Sequence, residues 1–130
     1  REDLFGLSRT IDDILDLSKS AIEEFTIYNL SSNEHLIKIA YTIKDGVGYL
    51  HDAISLLKEH PAISIEKCVA CKDCVDDIEI MYYKSLKDLA EGEDIKYMFK
   101  MREIYKHLLD ISFKITDSAN IILDIIVKTT

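Results

Sequence analysis

Residues 4–28 read LFGLSRTIDDILDLSKSAIEEFTIY, and their spacing decides the fold. Leu4, Leu7, Ile11, Ile14, Ala21, Phe25 and Tyr28 recur at alternating steps of three and four, with Ser18 in the one polar slot of the series. Steps of three and four place these side chains on one stripe of an α-helix, and their mean of about 3.5 suits helices packed side by side at shallow angles. The pattern repeats downstream. Leu36, Ile39, Ile43, Val47, Leu50, Ile54 and Leu57 form a second stripe that ends before Pro61. A third carries Ile65, Cys68, Cys71, Val75, Ile78, Tyr82 and Leu89. A fourth carries Met98, Met101, Tyr105, Leu108, Ile115, Ala119, Ile122 and Ile126.

The breaks between stripes have their own chemistry. Ser31 and Glu34 match a capping box for the second helix. Pro61 cannot continue that helix, and the third is expected to start after Ser64. Gly92 reads as the C-cap of the third helix, and Glu93 and Asp94 as acids at the positive end of the fourth. Gly46 and Gly48 fall inside the second helix and mark a weakness or a close helix approach. The expected fold is all-α: a single domain over residues 1–130, built as an antiparallel up-down bundle of four long helices.

Composition agrees. The 130 residues include only four Gly and one Pro, too few turn-formers for a β-sandwich or barrel. With 48% hydrophobic residues the chain can bury a core. Sixteen basic residues against 24 acidic give a net charge of -8, which disfavours nucleic acid and anionic membranes as partners. No apolar run is long enough to span a bilayer, so direct membrane insertion is not expected. The start at Arg1 reads as an interior segment of a longer chain. Three crowded cysteines make a poor disulfide framework and favour a reducing cytoplasm.

Two clusters could carry chemistry. Cys68, Cys71 and Cys74 have the spacing that opens an iron–sulfur run or offers three thiolates to zinc. The fourth Cys and its Pro are missing, however, and Cys68 and Cys71 occupy apolar stripe positions, where cysteine serves as a small hydrophobe. Asp12 and Asp16 lie one helical turn apart and share an outward face, as do Asp73 and Asp77. Such pairs form either a solvated acidic face or a cation site. None of the four histidines follows a Glu by three, which excludes the ferritin-like ligand motif. Phosphate loops, nucleophile elbows and His-Glu-x-x-His are also missing, so no enzyme is expected.

Three segments in order resemble one family. Arg1-Glu2-Asp3-Leu4 with Thr10 through Asp16 resembles its "REDI…LDDILD" stretch. Tyr82-Tyr83-Lys84-Ser85-Leu86 resembles its "LYRKAL", and Met101 through Ile122 its "KEIYELLE…CEDVANII" ending. The family is that of the PhoU-like phosphate-transport regulators, in the single-chain branch known as a domain of unknown function. Its members run longer at the front, so two preceding helices would be missing here. The resemblance implies PhoU-type bundles of long helices, assembly into a homo-oligomer, and action beside an inorganic phosphate permease. It also implies a divalent or iron cation held on the bundle surface by Glu/Asp-x-x-x-Asp pairs. Asp12 and Asp16 match such a pair in full. On the third helix the pair falls on Val75 and Glu79, and on the fourth on Phe113 and Asp117, so each retains one ligand. The implied metal ligands are therefore Asp12, Asp16, Glu79 and Asp117. A thiol-based metal or redox protein using Cys68, Cys71 and Cys74, and a plain helical scaffold, stand as alternatives.

Overall fold

The computed structural model describes residues 2–129 as four α-helices, with no strand among them. They are α1 (Glu2–Tyr28), α2 (Glu34–Leu56), α3 (Pro61–Ala90) and α4 (Ile95–Thr129). The expected all-α bundle is what forms. None of these helices is long and apolar enough to cross a membrane.

Several boundaries differ from expectation, each for a local reason. Asn29 sits in the left-handed region at φ 51 and ends α1. Its N–H donates to the Thr26 carbonyl and that of Leu30 to Phe25, the paired bonds of a Schellman turn. The cap of α2 is Asn33 rather than Ser31, because the Asn33 amide oxygen accepts from the Leu36 N–H at 2.8 Å. The third helix begins at Pro61, ahead of Ser64. Proline fits the first helical position, where its missing N–H would have had no partner and its φ is already helical. Gly92 is not a left-handed cap, since no glycine has positive φ. Instead Glu91 closes α3 in the right-handed region, with short bonds from Glu91 and Gly92 to Asp88 and Leu89. Asp94 caps α4 through the Tyr97 N–H at 3.0 Å, as the acids there suggested.

Packing is uneven around the bundle. Helices α2, α3 and α4 each touch the other two, whereas α1 touches α4 alone. The core divides into one cluster around Leu50, Cys68, Ile115 and Ile122 and another around Ile39, Ile78, Met101 and Tyr105. Three expected core positions are exposed: Leu4, Val47 and Ile65. Leu4 and Val47 lie on the edges of α1 and α2 that face the side where these helices do not meet. On α3 the inner stripe passes through Ser64 instead of Ile65, continuing to Cys68, Cys71, Val75 and Ile78.

That substitution of small for large residues sets the α2–α3 spacing. The Ser64 hydroxyl donates to the Ala53 carbonyl at 2.7 Å, and the Cys71 thiol to the Gly46 carbonyl at 3.4 Å. Both bonds obey one antiparallel register, seven residues up α2 matching seven down α3. Side chains bonding directly to a neighbouring backbone require close approach, which Gly46, Ala53, Ser64 and Cys71 permit. Of the two glycines within α2, Gly46 is therefore a contact point, whereas Gly48 is exposed with open space beside it. Helix α1 meets α4 at three polar contacts along its length: the ion pairs Asp3–Lys128 at 2.8 Å and Asp13–Lys114 at 3.6 Å, and the Glu24 carboxylate 3.0 Å from the His107 ring.

Candidate functional site

The four proposed ligand carboxylates are not gathered together. Asp12 and Asp16 are exposed one turn apart on α1, on the outward face their spacing predicted. Glu79 lies on α3, a helix that makes no contact with α1. Asp117 is exposed on α4 and opens onto a polar groove of about 530 Å³ that it shares with Arg9, Asp13 and Lys114. Two cations in that groove oppose a metal ion electrostatically, and Lys114 already pairs with Asp13. Among the described residues no group of three or more His, Cys, Asp or Glu side chains converges on one point. A multi-ligand centre does not fit this arrangement; the Asp12–Asp16 pair remains as two carboxylates on a solvated face.

The cysteines are core residues. Cys68 and Cys71 are fully buried, and Cys74 is half-buried. Burial pushes all three thiols upward, Cys71 to about 12 with the neighbouring cysteines adding to the effect. Metal binding and nucleophilic attack both need the thiolate, which these surroundings disfavour. Cys71 also spends its S–H on the Gly46 carbonyl. Nothing in these surroundings supports the thiol-based alternative.

A polar cluster closes one end of the bundle, where the α2 N-terminus meets the α3–α4 turn. The Asn33 amide donates to the hydroxyls of Tyr97 and Tyr105, each at 2.9 Å. The Tyr105 hydroxyl also lies 3.2 Å from the Asn33 oxygen, to which it can donate in turn. Burial raises the Tyr105 phenol above its ordinary range, so it remains a donor. His35 and Asp88 meet at 2.6 Å on the rim. The adjoining hollow of about 250 Å³ contains one aliphatic hydroxyl, Ser85, whose proton is committed to the Met81 carbonyl. The cluster thus clamps three chain segments and lacks an activated nucleophile. Sequence reading missed it; the available signal was Asn33 standing three residues ahead of Leu36, the spacing of a helix cap.

An apolar opening lies where α1 and α2 fail to meet. It is a groove of about 430 Å³ with Ile22 and Phe25 on one wall, Leu36 and Ile37 on the other, and Leu108 and Ile111 of α4 as its floor. Ile22 and Ile37 are 67% and 47% exposed, values at which both still offer substantial apolar area to a partner. The periodicity of α1 and α2 contained this groove as surplus apolar positions beside the core stripe. It gave no indication that the two helices would stand apart.

The chain is similar to UPF0111 protein YkaA of Bacillus subtilis (strain 168), with 31% identity over 135 aligned residues. The alignment covers 98% of this chain and 64% of the relative, so the chain spans less than two thirds of that protein's length. No protein-family model and no solved structure matches it.

Proposed function

We propose that this protein is a non-enzymatic, PhoU-like regulator of inorganic phosphate transport that acts through protein contact. The observation that carries the contact half is the apolar groove between α1 and α2, since a contiguous exposed apolar patch rimmed by polar residues marks an interaction site. The phosphate half is supported by the ordered resemblance to the PhoU-like regulators, with which the whole-chain similarity to UPF0111 protein YkaA is compatible. The partner in this reading is an inorganic phosphate permease, and the setting is the cytoplasm.

The cation enters this reading in reduced form. Asp12 and Asp16 are the ligand pair, and Glu79 and Asp117 stand apart from it. Two exposed carboxylates bind a divalent or iron cation weakly, because hard cations need six or more oxygen ligands and water must supply the rest. Calorimetric titration with magnesium, manganese and ferrous iron tests the pair: Asp12→Asn with Asp16→Asn should abolish any binding the native chain shows. Heat unaltered by the double substitution would remove these residues as ligands.

The regulatory reading is tested in the native host by deleting the gene and measuring phosphate uptake, with affinity capture of the tagged protein from solubilised membranes. Altered uptake together with recovery of a phosphate permease supports it. Unchanged uptake with no permease recovered refutes it.

A further inference from the structure

We propose that a slot between α3 and α4, beside their connecting turn, binds the anion of an unbranched fatty acid, with its carboxylate on Arg102 and its chain directed toward the turn. The slot is separate from the groove between α1 and α2, and the inference does not rest on the phosphate-transport reading.

Helical spacing builds the walls. Ile95, Phe99 and Arg102 follow one another at steps of four and three, so they share one face of α4. Leu86 and Ala90, four residues apart, face them from α3, with Leu89 and Met98 half-buried between the two helices. The enclosed volume is about 390 Å³, inside the range of about 300–1,000 Å³ that holds small molecules. Ile95 and Phe99 are 77% and 68% exposed, which leaves most of their apolar surface available to a chain. The rise from Ile95 to Arg102 is about 10 Å at 1.5 Å per residue, the length of an extended chain of about eight carbons. Apart from Arg102 the lining is apolar, so a polar chain would lose its hydration there without gaining partners.

Charge sets the head group and its direction. Arg102 is exposed and forms no ion pair among the described residues. The acids around it are placed elsewhere. Asp88, Glu93 and Asp94 line the polar hollow on the other side of the turn, where Asp88 meets His35 and Asp94 caps α4. Glu91 closes α3 at the turn, the end of the slot remote from Arg102. Glu103 follows Arg102 in the chain, about 100° further round the helix, and is half-buried outside the slot. Glu79 lies on α3 and, counted outward from the turn, falls opposite Lys106, one helical turn past Arg102. Lys87, Lys96 and Lys106 are exposed near the rim. Four bases thus stand against Glu79, Glu91 and Glu103 in a chain of net charge -8. A guanidinium holds a carboxylate through two parallel N–H bonds, and one guanidinium matches one negative charge. With Glu91 at the far end, the carboxylate belongs at Arg102 and the chain tip at Ile95. A second copy of the protein is a poorer occupant, because a slot this short falls well below the roughly 800 Å² per partner that stable interfaces bury.

The experiment titrates the full 130-residue chain with hexanoate, octanoate and decanoate below their micelle concentrations, read by amide and methyl NMR shifts. The expected result is saturable binding with shifts at Leu86, Ile95, Met98 and Phe99. Affinity should rise by about twofold to fourfold per added methylene up to about eight carbons and level off beyond. Octanol and octyltrimethylammonium should bind about tenfold more weakly than octanoate, since neither has a partner for the guanidinium. Arg102→Gln should cost octanoate about tenfold and leave octanol unchanged, whereas Arg102→Lys should retain part of the difference. Arg102 is exposed, so both variants are expected to fold, and circular dichroism and melting check this before titration. If either variant fails that check, the chain-length and head-group series on the native protein decide alone. Several results would each overturn the proposal: no saturation with any of the three acids, equal binding of the three head groups, or shifts confined to other surfaces. So would octanoate affinity unchanged in folded Arg102→Gln, or a homodimer that buries Phe99. Association with phosphatidylglycerol vesicles without binding of free octanoate would also overturn it, by making the slot a membrane contact. None of these outcomes bears on the uptake and capture experiments, by which the regulatory reading stands or falls.

Discussion

Replacing Asn33 tests whether the end cluster is a structural clamp. Asn33→Ala removes two things together. The first is the α2 cap, the Leu36 N–H bond at 2.8 Å, worth about 1 kcal/mol. The second is the amide that partners the Tyr105 hydroxyl. Tyr105 is 1% exposed, so water cannot replace that amide, and an orphaned buried hydroxyl costs about 1–3 kcal/mol. The Tyr97 hydroxyl sits nearer solvent and can rehydrate. The total is about 3 kcal/mol, equivalent to about 12 °C in melting temperature for a domain of this size. Two further variants separate the contributions. Asn33→Ser keeps a capping oxygen and loses the tyrosine bonds, for about 1–2 kcal/mol. Asn33→Asp keeps the cap and accepts from both phenols, and should cost under about 1 kcal/mol. Urea denaturation monitored by circular dichroism reads all three, and a double-mutant cycle with Tyr105→Phe isolates the coupling. Asn33→Ser equal to the native chain, or Asn33→Ala costing no more than a lost cap, would refute the clamp.

The remaining predictions concern packing and pH. Gly46→Ala should be neutral or stabilising by up to about 1 kcal/mol, since a new Cβ would meet Cys74 and Ile115 at an ordinary 3.5 Å and helix entropy improves. Gly46→Leu should destabilise by about 1–3 kcal/mol through overpacking, and thermal melts compare the two. The Cys71 thiol is raised on folding, so the unfolded chain loses its proton first as pH rises. Its stabilisation is complete below the ordinary value of 9.0 and declines at about 1.4 kcal/mol per pH unit up to about 12. Denaturant titrations at pH 8 and 10.5 on native and Cys71→Ala protein should show the difference narrowing; a constant difference would contradict it. Helix α1, with one neighbour, should exchange its amides by local opening well before α2, α3 and α4. Hydrogen-exchange mass spectrometry showing uniform protection across all four helices would refute this.

Much of the fold was legible because helical periodicity reports which face of a segment is apolar. Leu7, Ile14 and Ala21 on α1, and Met101, Ile115 and Ile122 on α4, are buried where their spacing placed them. Periodicity does not report which helix covers a face, and the separation of α1 from α2 was therefore invisible. Small polar residues were misread for a related reason. Ser64 took the core slot assigned to Ile65 because a hydroxyl bonded to the Ala53 carbonyl can be buried, and no hydropathy pattern records that bond. The carboxylates show the same limit. Asp12 and Asp16 lie on the predicted face, since one helix fixes their relation. The positions of Glu79 and Asp117 relative to them depend on packing between helices, which spacing within each helix cannot supply. Asn29 and Asn33 carried turn chemistry that Ser31 and Glu34 matched more closely as a motif.

The two side-chain bonds between α2 and α3 have a mechanical consequence. A seam of large interlocking residues can shear slightly by rotamer changes, whereas one in which a hydroxyl and a thiol grip the opposing backbone at two heights has no such slack. Helices α2 and α3 should translate and rotate as one beam, indexed so that neither can slip along the other. Any force applied between α1 and α2 is then met by a stiff jaw on the α2 side, and the yielding jaw is α1. Displacement would pass into the α1–α4 joint and its polar contacts, leaving the rest of the bundle as the fixed frame against which movement is registered.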